Sequence, residues 1–164
     1  MNLILHISDI HRRNIYYHPP ISNTVLDDDD STFVRIGYSN DLFTLNVIYL
    51  SISLKVSNTD IYFYKYTYGV DYKNNIDMIN KLFVLEQMLL DGVDVPGIKK
   101  TYKLKDNLLN SSIRIYETLD CSNKKIQGKY TGEFMLKISG IWSTTTTCGL
   151  TYKFYKSPHP SDEK

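Results

Sequence analysis

Along residues 32–56 apolar and polar positions alternate with the period of two that marks a half-buried β-strand. Residues 32–39 (TFVRIGYS) set Val34, Ile36 and Tyr38 on one parity against Phe33, Arg35 and Gly37 on the other. Ser39-Asn40-Asp41 follows as a turn. In 42–56, Phe43, Leu45 and Val47 share one parity, whereas Ile48, Leu50, Ile52, Leu54 and Val56 take the other. A change of face inside one run predicts a β-bulge, because one extra residue rotates every side chain after it. Ser57-Asn58-Thr59-Asp60 reads as a hairpin turn into a third strand, 61–68 (IYFYKYTY). That strand places Tyr62, Tyr64, Tyr66 and Tyr68 on one face and Ile61, Phe63, Lys65 and Thr67 on the other.

After Gly69 the period lengthens to that of a helix. Ile76, Ile79, Leu82, Phe83, Leu89 and Leu90 form an apolar stripe over 75–91, with Asn74 as N-cap and Gly92 as the stop. Val95-Pro96-Gly97 breaks the chain. Strands are predicted again at 98–104 and 112–118, with a turn or one loose helical turn at 105–111 and a polar loop at 120–132. Residues 133–142 put Phe134, Leu136, Ile138 and Trp142 on one face, with Trp142 filling the core or a barrel end, and 149–156 close a hairpin with Leu150, Tyr152 and Phe154 facing in.

Ahead of the first strand, residues 14–31 contain Pro19-Pro20 and the run Asp27–Asp30, which suit neither a helix nor a central strand. Hard-cation loops interleave their ligands with turn glycines and a distal Glu, so the aspartates read as a solvated acidic loop. The expected organisation is an extended N-terminal arm over 1–31, one β-rich domain over 32–156 and a flexible tail over 157–164. Three strands, a helix and further strands make an α+β, β-rich fold. It is expected as a small barrel of the oligonucleotide-binding type, or a sandwich, with one helix between strands three and four.

Composition changes the picture in one respect. Alanine is absent, while Ile (17), Leu (17), Lys (15), Tyr (14) and Asn (12) dominate, the signature of a low-GC genome. At 42% hydrophobic and 23% charged, the chain of 164 residues has enough apolar content for a core. No run approaches the ~18 apolar residues of a membrane span. The opening MNLILH has neither the basic region nor the apolar stretch of a secretory signal. Cys121 and Cys148 are expected as two reduced thiols of an intracellular protein, in host cytoplasm or nucleus or in a virion if the low-GC source is a virus.

Residues 3–13 (LILHISDIHRR) resemble the opening of the calcineurin-like metallophosphoesterases, whose Asp-x-His pair, here Asp9 and His11, would serve a two-metal site. The remaining ligand segments of that family are missing, since the chain has no Gly-Asp, Gly-Asn or Gly-His dipeptide. No catalytic site, metal or cofactor is therefore expected.

Charge is unevenly distributed: residues 1–96 carry a net −5 and residues 97–156 a net +7. A cationic half combined with aromatic faces is the chemistry that holds single-stranded nucleic acid, because every base offers a π-surface. The expected ligand-binding set is Tyr62, Tyr64, Tyr66 and Tyr68 as stacking platforms, with Lys99, Lys100, Arg114, Lys137 and Lys153 neutralising phosphates. Lys65 falls on the opposite parity and outside that set. The hairpin FMLKISGIWSTTTTCGLTYKFYK, with the alanine-free bias, resembles small β-rich proteins of large AT-rich DNA viruses, their single-strand DNA-binding proteins among them. The competing expectation is a viral structural or assembly protein whose N-terminal arm contacts further copies or other viral proteins.

Overall fold

The longest alternating run in the chain builds the centre of the molecule. Ile48, Leu50, Ile52, Leu54 and Val56 are each at most 1% exposed, all on the inner face of one long strand. In this computed structural model, residues 3–25, 30–62, 64–93, 96–110, 112–116 and 124–157 are described. They form, in chain order, β1 (Ile4–Leu5), β2 (Ile15–Tyr17), β3 (Ile21–Ser22), β4 (Thr32–Ser39), β5 (Thr44–Leu45), β6 (Ile48–Tyr62), β7 (Lys65–Val70), α1 (Tyr72–Asp91), β8 (Lys99–Lys100), α2 (Lys103–Leu109), β9 (Ser112–Tyr116), β10 (Lys124–Ser143) and β11 (Thr147–Lys156).

The sheet order is β2-β4-β10-β6-β7-β9. One edge of β10 pairs antiparallel with β6 from Lys124↔Ile61 to Ile138↔Ile48, and then with β4 from Gly140↔Arg35 to Ser143↔Thr32. Its other edge takes β11. The short strands β1 and β8 add in parallel to β6 and β11. The molecule is β-rich with an antiparallel main sheet that stays open; it does not close into the barrel suggested by the order of elements. Helix α2 contacts both β9 and β11, and Leu104 and Leu108 reach the core from there. Among the described residues no helix is long and apolar enough to cross a membrane.

Several expectations are corrected. The change of face after Val47 is a change of partner: Thr44–Leu45 pair with β4, and from Ile48 the chain pairs with β10. The true irregularity of β6 comes later, where Val56 faces Val70 but Asn58 faces Gly69, so Ser57–Asp60 are strand and not turn. Much of the expected loop at 120–132 is strand from Lys124 onward; residues 117–123 lie outside the described residues. The 98–104 strand shrinks to Lys99–Lys100, and the loose turn after it becomes α2.

Residues 3–25 do not extend away as an arm. Leu5 and Ile10 are core residues, and β2 and β3 pair with β4. The Tyr17 hydroxyl donates to the Leu89 carbonyl of α1 at 2.9 Å, and the Tyr38 hydroxyl donates to the Asp9 carbonyl at 3.0 Å. Asp9 and His11 are exposed, and no cluster of three His, Cys, Asp or Glu side chains occurs among the described residues. Cys148 is buried, which pushes its thiol up; Cys121, Asp27–Asp29 and the tail 158–164 lie outside the described residues.

The helix begins earlier than its apolar stripe, at Tyr72, with Asp71 as N-cap accepting the Asn74 amide. Asn75, one turn in, is 5% exposed and clamps β6. Its Oδ1 accepts the Lys55 amide and its Nδ2 donates to the Lys55 carbonyl, each at 2.8 Å. The clamp satisfies main-chain groups of β6 just before the irregularity that interrupts its pairing with β7. Asn75→Ala is expected to cost about 2 kcal/mol, read as a lower urea midpoint at unchanged slope, because the Lys55 amide loses its acceptor while the Lys55 carbonyl keeps only the Asp71 amide.

Candidate nucleic-acid interface

Because α1, α2 and the inward strand residues form one core, the opposite face of the sheet carries no covering helix among the described residues. Its population is decided by a bulge in β10. Ile138 pairs with Tyr152 and Gly140 with Thr151, so Ser139 is an extra residue on β10. Phe134, Leu136 and Ile138 point inward and are at most 2% exposed, and after the bulge Ile141 takes the inward position at 1%. Trp142 is thereby turned to the outer face and is half-buried, instead of joining the core.

Four strands align Ile21, Phe33, Trp142 and Gly149 in one outer row. The Phe33 ring lies over Gly140, where a Cβ would come within 2.6 Å of it, and the Trp142 indole lies over Gly149, where a Cβ would come within 2.9 Å. Both rings therefore rest on sheet backbone that only glycine leaves open. They border a cavity of about 640 Å³ whose rim includes Lys103 and Thr151. The next row is Arg35, Gly140 and Thr151, with Arg35 exposed. The row beyond is Tyr49, Lys137 and Lys153. There the Lys137 ammonium lies 5.9 Å from the Tyr49 ring, and the Lys153 ammonium 5.1 Å from the Tyr155 ring. Glu133, further along β10, accepts the Ser53 hydroxyl at 2.6 Å.

The tyrosine ladder divides. Tyr62 pairs with Lys65, so the chain reverses between them and the alternation does not carry across. Tyr62 and Tyr64 are 62% and 61% exposed at the hairpin, while Tyr66 and Tyr68 are 6% and 4% exposed and belong to the core. The four rings do not share an open face. Lys65 stands in register between Tyr62 and Tyr116, with Arg114 one row away, so it joins the tyrosine side that the sequence pattern denied it. This second aromatic and cationic group lies about 40 Å of strand from Tyr49.

Of the five expected cations, Lys137 and Lys153 are cross-strand neighbours on the outer face, and Arg114 faces outward at the hairpin group. Lys99 and Lys100 form β8 at the sheet edge, where Lys100 is ion-paired with Asp91, whose carboxylate raises the lysine's pKa. Phe33, Arg35 and Trp142 were missed as a set. Their proximity depends on the extra residue at Ser139, for which the local pattern carries no signal. No protein-family model matches the chain, and no curated protein or solved structure matches it.

Proposed function

We propose that this protein binds single-stranded nucleic acid on the outer face of its sheet, without catalysing a reaction. One observation carries this: a sheet face with no covering helix among the described residues, on which Arg35, Lys137 and Lys153 alternate with Phe33, Trp142, Tyr49 and Tyr155. Cations spaced along a sheet follow a phosphate backbone, and the rings between them accept bases of any identity. Of the expected residues, Lys137 and Lys153 belong to this face, whereas Arg114, Tyr62 and Tyr64 stand at the distant hairpin.

Anisotropy of a labelled 15-mer oligothymidine at two salt concentrations tests it. Micromolar or tighter binding is expected, with log K falling against log salt at a slope near about −2, from three phosphate contacts at roughly −0.7 each. Reversing both Lys137 and Lys153 to Glu should weaken binding at least about 10-fold and flatten that slope. Absence of binding, together with concentration-dependent oligomers in sedimentation, would overturn the proposal in favour of an assembly component.

A further inference from the structure

We propose that the cavity between Phe33 and Trp142 is a pocket for one unstacked nucleobase with its attached phosphate; this rests on the nucleic-acid reading above and assigns it a point of capture. At about 640 Å³ the cavity falls within the ~300–1,000 Å³ of small-molecule sites. Its floor is built for a flat aromatic guest. Two neighbouring rings pack against glycines of the sheet, Phe33 against Gly140 and Trp142 against Gly149, and both line the cavity.

The leader supplies part of the lining, with Ile21 beside Phe33 in the same row and then Ser22, Asn23, Thr24 and Val25. Ile21 is 58% exposed and Val25 is 87% exposed, two large apolar side chains that line the cavity. A base inserted there would gain contact with the two rings and with these aliphatic side chains. The rim supplies the complement to the rest of a nucleotide: the Lys103 ammonium for a phosphate and the Thr151 hydroxyl for a base edge or sugar. Thr151 also shares its row with Arg35, and two residues further along β11 stands Lys153. A strand whose base occupies the pocket thus leaves it directly onto the cationic rows.

Trp142 is the only tryptophan of the chain, so its emission reports this cavity alone. The full chain is titrated with the labelled oligothymidine while label anisotropy and Trp142 emission are read together, and separately with thymidine monophosphate. The expected result is quenching of Trp142 that saturates at the same midpoint as the anisotropy, and weaker, competitive quenching by the monophosphate. Phe33→Leu should weaken oligonucleotide binding roughly 10-fold through loss of stacking. Val25→Asp, at an exposed position that leaves the core untouched, should reduce both binding and quenching by placing an anionic side chain in the cavity lining. Anisotropy binding with unchanged Trp142 emission overturns the pocket and confines the bound strand to the rows of Lys137, Lys153, Tyr49 and Tyr155. Quenching by the monophosphate without oligonucleotide binding overturns the strand-binding face and keeps the pocket. Binding and quenching that survive Val25→Asp unaltered also overturn the pocket.

Discussion

Tyr68→Ala is expected to destabilise the protein by about 3–5 kcal/mol, the loss usual for a large aromatic side chain removed from a core. Tyr68 is 4% exposed, with its ring 6.3 Å from that of Tyr66 and edge-on to Phe134 at 5.0 Å. It therefore joins β7 to β10 across the interior, and deletion leaves a cavity that neither strand can close without breaking its own ladder. Tyr66 is held in a similar way, with the Lys156 ammonium 3.8 Å from its ring centroid. Tyr62→Ala, at an exposed hairpin position, should shift stability by less than about 0.5 kcal/mol. Urea denaturation of the two variants separates these outcomes, and equal midpoints would contradict the division of the tyrosines described above.

The second large effect concerns Glu86. This residue of α1 is fully buried, and its two carboxylate oxygens accept the backbone amides of Leu104 and Lys105, each at 3.1 Å. Tyr102, the N-cap of α2, makes no side-chain capping bond, so a carboxylate from another helix does that work. Glu86→Ala leaves two amides without an acceptor beside a new void and is expected to cost about 2–4 kcal/mol. Glu86→Gln keeps one acceptor and should cost about 1–2 kcal/mol.

Burial raises the Glu86 pKa above the ordinary glutamate value, against the lowering effect of the two amides. The folded state thus holds this proton more firmly than the unfolded state does. The group's contribution to stability is greatest below the unfolded-state value and declines as pH rises from there through the raised folded-state value, staying level beyond. Urea midpoints of the parent chain followed upward from pH 4 should contain this decline, and those of Glu86→Gln should lack it. At the same end of α2, Tyr152 donates to the Lys103 carbonyl at 3.2 Å, and burial pushes its phenol up to about 12. Its hydroxyl remains a donor throughout the range in which Glu86 titrates.

What the sequence made legible follows from which signals are local. Strand 32–39 and the apolar stripe of α1 were readable because alternation and helical spacing persist there without interruption. The failures come from single residues that reset the count. Ser57 and Ser139 each sit at a ladder irregularity, and serine is equally at home inward at a bulge or outward in solvent. The run IYFYKYTY reverses direction between Tyr62 and Lys65 with no Gly, Pro, Asn or Asp to announce it, whereas Ser57-Asn58-Thr59-Asp60 has turn chemistry and stays extended. Lys137 and Lys153 could be picked out as cations from sequence, but their partnership with Phe33 and Trp142 depends on pairings over a hundred positions apart, such as Trp142↔Phe33.

The position of β10 late in the chain has a consequence for biosynthesis. This strand supplies the neighbour for both β6 and β4, yet Lys124 is made 62 residues after Tyr62. At ribosomal speeds of about 5–20 residues per second, the nascent chain carries the main-chain edge of β6 that β10 will cover unpaired for roughly 3–12 s. During that interval it presents a template for β-pairing with other chains, which makes a chaperone that shields nascent strands the natural helper for this topology.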